Sequence, residues 1–126
     1  MSKTKILVGT FVVFLTGLFI YFKTRPSSPY DTFAQCLTGK GVKMYGAYWC
    51  PHCKEQKQMF GSSFKYVNYI ECATPGTNIQ NPICAKAKIK GYPTWEFADG
   101  SRIPGKLDFD TLSQKTNCPL PDNKTP

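Results

Sequence analysis

Two cysteines one helical turn apart, Cys50 and Cys53, stand where an aromatic run gives way to a lysine-rich one, in the stretch YGAYWCPHCKEQKQMF from Tyr45 to Phe60. No other feature constrains the chain as strongly. The run before them, Val42 to Trp49 (VKMYGAYW), reads as a buried strand. Pro51 occupies a place that the first turn of a helix tolerates, and Gln56, Met59 and Phe60 supply an inward face for a helix to about Phe60. Cys50 therefore falls at or near a helix N-terminus, where unpaired backbone N–H groups and the helix dipole favour an anion. A thiolate is such an anion, so the Cys50 thiol is expected to acidify. Cys53 lies one turn on, on the same face. It can attack a mixed disulfide formed on Cys50, or store two electrons in a bridge with it. Pro51 removes one N–H but stiffens the turn, and His52 can bring positive charge beside the thiolate, which makes the bridge a better oxidant. Three blander readings compete: an inert structural bridge, a zinc half-site of Cys50, His52 and Cys53, and a His52 that merely faces solvent. Zinc is disfavoured because a second ligand pair is wanted, whereas Cys72 and Cys84 stand twelve residues apart and the chain has no other histidine.

The rest of the chain predicts an α/β domain. Tyr30 to Leu37 reads as a short helix with Asp31 as its cap. Tyr66 to Cys72 is a second strand, and Pro82 opens a helix carrying Ile83, Cys84, Ala87 and Ile89. Thr94 to Ala98 is a third strand, and the Asp99-Gly100 turn leads back into a fourth, Ser101 to Pro104, antiparallel to it. A last helix starts at Asp108, capped by Asp108 or Asp110, with Phe109 and Leu112 as its apolar stripe. Early strands joined through helices lie parallel, so the expected core is a central mixed four-stranded sheet with helices on both faces. Pro93, at the entry to the third strand, is a candidate for a cis peptide bond.

At the N-terminus, Ile6 to Phe22 carries no charge. At about 1.5 Å per residue such a helix spans most of a ~30 Å hydrocarbon core, and the run ends without the small residues of a cleavage site. The expectation is one N-terminal transmembrane helix, an uncleaved signal-anchor. The domain boundaries that follow are a cytoplasmic N-terminus at 1–5, the anchor at 6–22, a linker at 23–29, the domain at 30–118 and a disordered tail at 119–126. Net charge is +8, but four of the sixteen basic residues flank the apolar run, and the remainder are scattered. That distribution lacks the loaded basic face of a nucleic-acid-binding protein and suits anionic lipid headgroups. Six cysteines in 126 residues, behind a membrane-targeting start, point to an oxidising compartment. The chain is expected to be a single-pass membrane protein with its domain on the extracytoplasmic side, periplasmic or lumenal.

Two motifs in this element order, WCPHC at 49–53 and GYPT at 91–94, resemble the active-site and cis-proline loops of the thioredoxin fold over roughly Tyr30 to Cys118. FAQCL, KMYGAYWCPHC, YPTWEF and the late Cys118 resemble, more narrowly, the thioredoxin-like domains that partner or are fused to homologues of vitamin K epoxide reductase. The resemblance implies that Cys50 attacks, Cys53 resolves, and Tyr92–Pro93 is a cis bond beside them. It also implies disulfide exchange with client proteins bearing cysteines and with a quinone-linked membrane thiol oxidoreductase. Reducing thioredoxins carry a buried acid on the strand before the active site and a Gly-Pro pair between their cysteines. VKMYGAY has no acid and the pair here is Pro-His, departures that favour a disulfide donor or shuttle.

Pro51 and His52 complete the expected catalytic set with Cys50 and Cys53. Trp49, Tyr92, Pro93 and Thr94 are expected to meet the client, with Trp49 and Tyr92 as an apolar platform. Glu55 and Glu96 are either proton relays or solvated charges. Of the three pairings open to the other four cysteines, Cys72–Cys84 closes locally and leaves Cys36 with Cys118. These read as structural bridges, with an electron relay as the competing role. No cofactor and no metal are expected. A reductase or isomerase of the same fold, and a non-catalytic stapled binding module, remain the rival functions.

Overall fold

The computed structural model describes residues 3–23 and 27–122. Parts of the expected N-terminal segment, linker and tail, at 1–2, 24–26 and 123–126, lie outside them. Nine elements follow in order: α1 (Lys3–Lys23), α2 (Asp31–Gly39), β1 (Lys43–Gly46), α3 (Pro51–Phe60), β2 (Tyr69–Glu71), α4 (Pro82–Lys86), β3 (Thr94–Glu96), β4 (Arg102–Pro104) and α5 (Phe109–Thr116). The strands form one mixed sheet in the order β2-β1-β3-β4. β1 runs parallel to β2 and antiparallel to β3, and β3 runs antiparallel to β4. This is the arrangement expected of a thioredoxin-like fold.

Successive strand residues point to opposite faces, and β1 shows both faces covered. Met44 enters a core with Phe33 and Leu37 of α2, Phe60 of α3, Trp95 of β3 and Leu112 of α5. Tyr45 enters a second cluster with Cys72, Cys84 and Ile89. The main core is aromatic: Phe60 stands 4.8 Å from Phe109 and 6.2 Å from both Phe33 and Trp95 between ring centroids.

One polar side chain lies at the centre of this core. Gln56 of α3 is fully buried. Its Oε1 accepts from the Trp95 indole N–H at 3.2 Å and the Leu107 backbone N–H at 2.8 Å, and its Nε2 donates to the Leu107 carbonyl at 3.0 Å. Every hydrogen-bonding group is matched, which is what a buried amide requires.

Several boundaries differ from those expected. β1 is shorter than Val42 to Trp49, because the Cys50 N–H bonds back to the Ala47 carbonyl at 3.1 Å and turns the chain. β2 is shorter than Tyr66 to Cys72, because Gly61, at φ 55°, ends α3 and a 3-10 turn follows over Gly61–Tyr66. α4 stops at Lys86; Lys88 takes a left-handed φ of 57°, and Ile89 reaches its cluster from outside the helix. Ile83 is exposed. Asp31 does not cap α2. Tyr30 holds that position, and the Asp31 carboxylate accepts from the Ser63 hydroxyl at 2.8 Å. Asp108 caps α5, accepting the Thr111 N–H at 2.7 Å. In the expected tail, Leu120 packs against the main core.

Lys3–Lys23 is helical, but among the described residues no helix is long and apolar enough to cross a membrane. The uncharged part of α1, Ile6–Phe22, covers about 26 Å against a ~30 Å hydrocarbon core.

Two disulfides tie the domain. Cys36 at α2 joins Cys118 beyond α5 across 82 residues, and Cys72 at the end of β2 joins Cys84 of α4 across 12. Chain-entropy arguments assign the longer loop about 4.5 kcal/mol and the shorter about 3 kcal/mol. Replacing both Cys36 and Cys118 by serine should therefore lower the unfolding free energy more than replacing Cys72 and Cys84, as read by urea titration. Gln56→Leu should cost about 2–4 kcal/mol in the same measurement, since it strands the Trp95 and Leu107 partners in the core.

Candidate active site

Cys50 and Cys53 are the two free cysteines. The chain leaves the C-terminal end of β1, turns at Ala47, and enters α3 with Cys50 in the cap position (φ −73°, ψ 122°) and Pro51 in the first turn. The Cys50 sulfur makes no capping bond to the helix. It donates instead to the Tyr92 carbonyl at 3.5 Å. That carbonyl belongs to the cis Tyr92–Pro93 bond, so the first cysteine and the proline loop meet directly. Pro93 is fully buried and its own carbonyl accepts from the Gly105 N–H at 2.7 Å. Thr94 is buried at the start of β3, its hydroxyl turned back onto the Gly91 carbonyl at 2.8 Å.

The rim beside Cys50 is aromatic. Trp49 is 40% exposed and packs edge-on against Tyr92, ring centroids 6.0 Å apart. Tyr48 is also exposed. The Tyr92 hydroxyl accepts from Gln80 at 2.7 Å, which fixes the ring.

Cys53 is wholly buried. Burial pushes its thiol up to about 12; the Ala47 backbone N–H opposes this, the adjacent Cys50 adds to the rise through a hydrogen bond and its charge, and Lys57 opposes it least. The remaining predicted residues sit further out. The His52 side chain is 69% exposed, its Nδ1 3.7 Å from Glu55 Oε2. Glu55 is bonded to Lys106 Nζ at 2.7 Å, and that bond and charge hold its carboxyl below the usual range. Glu96 is paired with Arg102 at 2.6 Å and Lys43 at 3.3 Å; burial works to raise its carboxyl, but these partners outweigh it and hold it low. Both glutamates thus have cationic partners. Among the described residues, no group of three or more His, Cys, Asp or Glu side chains is placed to hold a metal ion.

Sequence reasoning passed over Glu71. Its Oε1 accepts from the Tyr48 N–H at 3.2 Å and the Ala73 N–H at 2.9 Å, and its Oε2 accepts from the Tyr69 hydroxyl at 2.8 Å. The carboxylate thereby holds the loop that delivers Cys50. A lone acid at the carboxyl end of a strand, the end where α/β sheets place their sites, was the available cue.

No family model matches the chain. It is similar to the thiol-disulfide oxidoreductase LTO1 of Arabidopsis thaliana, 42% identical over 108 residues, covering 79% of this chain and 28% of that protein. It is similar to the protein disulfide isomerase-like 2-2 of Oryza sativa subsp. japonica, 34% identical over 74 residues, with coverages of 56% and 20%. It is also similar to protein disulfide-isomerase A5 of Bos taurus, 31% identical over 85 residues, with coverages of 62% and 16%. The chain spans less than a third of the length of each.

The raised Cys53 thiol has a measurable consequence. An unfolded thiol titrates near 9.0 and the folded one near 12, so the folded state holds this proton more tightly. Its contribution to stability is complete below pH 9 and is lost as pH rises towards 12. In the reduced protein, iodoacetamide at pH 8 should leave Cys53 unmodified while the chain is folded and label it in denaturant, as read by peptide mass mapping. Labelling of Cys53 at equal rates in both states would contradict its burial.

Proposed function

We propose that the protein is a membrane-attached thiol–disulfide oxidoreductase that exchanges disulfides with extracytoplasmic client proteins through Cys50 and Cys53. The observation that carries the reading is the pairing of two free thiols at a helix start with the cis Tyr92–Pro93 carbonyl 3.5 Å from the first sulfur, while the other four cysteines are bridged. The relatives named as thiol-disulfide oxidoreductase and as protein disulfide isomerases support protein disulfide oxidoreductase activity.

In the donor direction, the oxidised pair is attacked at Cys50 by a client thiolate. A mixed disulfide forms and Cys53 leaves as a thiolate. A second client thiolate then attacks the client sulfur, the client disulfide closes, and Cys50 leaves with the electron pair. The protein ends reduced by two electrons, and a quinone-linked membrane thiol oxidoreductase, expected from the resemblance in sequence, takes them up. Trp49 and Tyr92 offer the client an apolar rim. α1 supports attachment to a membrane: its apolar side chains from Leu7 to Phe22 are largely exposed, and the Thr16 hydroxyl is satisfied by the Val12 and Val13 carbonyls within the helix. The two bridges support an oxidising compartment.

Cys53→Ala should accumulate mixed disulfides at Cys50, visible as adducts on a non-reducing gel and absent when Cys50 is also replaced. A lack of adducts, with a disulfide-bonded peptide or in cells, would remove the reading. The relatives named as isomerases favour a second reading, a reductase or isomerase of the same site. A redox titration separates the two, since a potential near about −120 mV suits a donor and one near about −270 mV a reductant.

A further inference from the structure

The reaction needs Cys53 to lose and regain a proton, and Cys53 is a buried thiol. β1, the strand that passes beneath it, meets it with Gly46, which has no side chain to offer. A β-carbon on Gly46 would lie 3.1 Å from the Cys53 sulfur, 3.1 Å from the Tyr69 hydroxyl and 2.7 Å from Tyr69 Cε2. Sulfur and hydroxyl therefore stand within about 6.2 Å of each other across bare backbone, a separation that proton transfer through one water can span. The hydroxyl donates to Glu71 Oε2 at 2.8 Å. The other carboxylate oxygen is held by the Tyr48 and Ala73 N–H groups, which fixes the carboxylate's orientation. Glu71 itself is partly exposed and can return a proton to solvent.

We propose that Tyr69 and Glu71 form the proton-accepting pair for Cys53, with Tyr69 as the relay and Glu71 as the acceptor. The inference rests on the oxidoreductase reading above. When Cys53 resolves a mixed disulfide, its proton passes through one water to the Tyr69 oxygen as the phenolic proton passes to Glu71. The freed electron pair on the Cys53 sulfur forms the bond to Cys50, the bond from Cys50 to the client sulfur breaks, and the client leaves as a thiolate. The Cys50–Cys53 pair is oxidised and the client is reduced. In the opposite direction the same pair reprotonates Cys53 as it leaves.

The titratable groups acting on Cys53 are Cys50, at the cap of α3, and Lys57 of α3; Tyr69 of β2, bonded to Glu71, in turn feels the charges of Cys53 and Cys50. Burial first, then the bond to Glu71 and its charge, then the two cysteines, hold the Tyr69 phenol above its ordinary range. Tyr69 thus stays protonated and works as a relay that hands on one proton while it takes another. Lys57 Nζ lies 3.8 Å from the Tyr69 ring centroid, a contact that phenylalanine would keep.

The test follows the reduced full chain reacting with a fluorogenic peptide disulfide by stopped flow. Release of the first thiol reports attack by Cys50, and release of the second reports resolution by Cys53. In Tyr69→Phe and Glu71→Gln, the second phase should slow at least about tenfold relative to the first at pH 7. Its pH profile should move to higher pH and meet the wild-type rate in strong alkali. Glu71→Gln keeps an oxygen for the Tyr48 and Ala73 N–H donors and turns its amide towards the Tyr69 oxygen, and unfolding curves of both variants verify the fold. A second phase with the wild-type pH profile, or equal slowing of both phases, would overturn the relay and leave Glu71 as a loop anchor. A wild-type chain that releases no thiol at all would instead overturn the oxidoreductase reading, and the relay with it.

Discussion

The site depends on one buried amide. Gln56 sits in the middle of α3, and its hydrogen bonds reach the indole of Trp95 on β3 and the backbone at Leu107. Apolar packing alone would let α3 slide along or rotate over the sheet, because dispersion and hydrophobic contacts are only weakly directional. Matched donors and acceptors in a medium without competing water are directional and costly to break. They fix the rotation of α3, and the rotation of α3 fixes where its first turn points. Cys50 then faces the Tyr92 carbonyl, and Cys53, one turn on, is directed under the helix against Gly46.

From that placement follows the inequality between the two thiols. Both sulfurs are buried, but Cys50, at 5% exposure, borders the exposed rim of Trp49 and Tyr48, whereas Cys53, at 0%, is enclosed by α3, β1 and Tyr69. Two identical side chains three positions apart thus meet different surroundings. The same enclosure creates the problem that Tyr69 and Glu71 are positioned to relieve: a sulfur that must ionise where ionisation is penalised.

Much of the outline was legible in the chain because it depends on local chemistry. Pro51 and Pro82 mark helix starts, Asp108 caps the last helix, and the Asp99-Gly100 pair turns β3 into β4. Element limits were less legible. The strand-like composition of Val42–Trp49 and Tyr66–Cys72 extends beyond β1 and β2, since the strands end where the chain bends towards the loops rather than where aromatic residues stop. Asp31 is a good capping residue by type, but tertiary packing brought Ser63 to its carboxylate.

The candidate site divides along the same line. Spacing and residue type alone determined that Cys50 and Cys53 share a helix face at its start, that Pro93 opens a strand, and that Ile6–Phe22 is an uncharged helix-forming run, because each is a matter of neighbours along the chain. Only the tertiary structure decided that His52 turns outward to Glu55 and that Glu96 is held by Arg102 and Lys43. It alone set a tyrosine and a carboxylate of β2 behind the second sulfur. The reason is physical. Burial and proton affinity are set by groups far apart in sequence, and only the parallel pairing of β1 with β2, Gly46 opposite Glu71, brings those groups to one place.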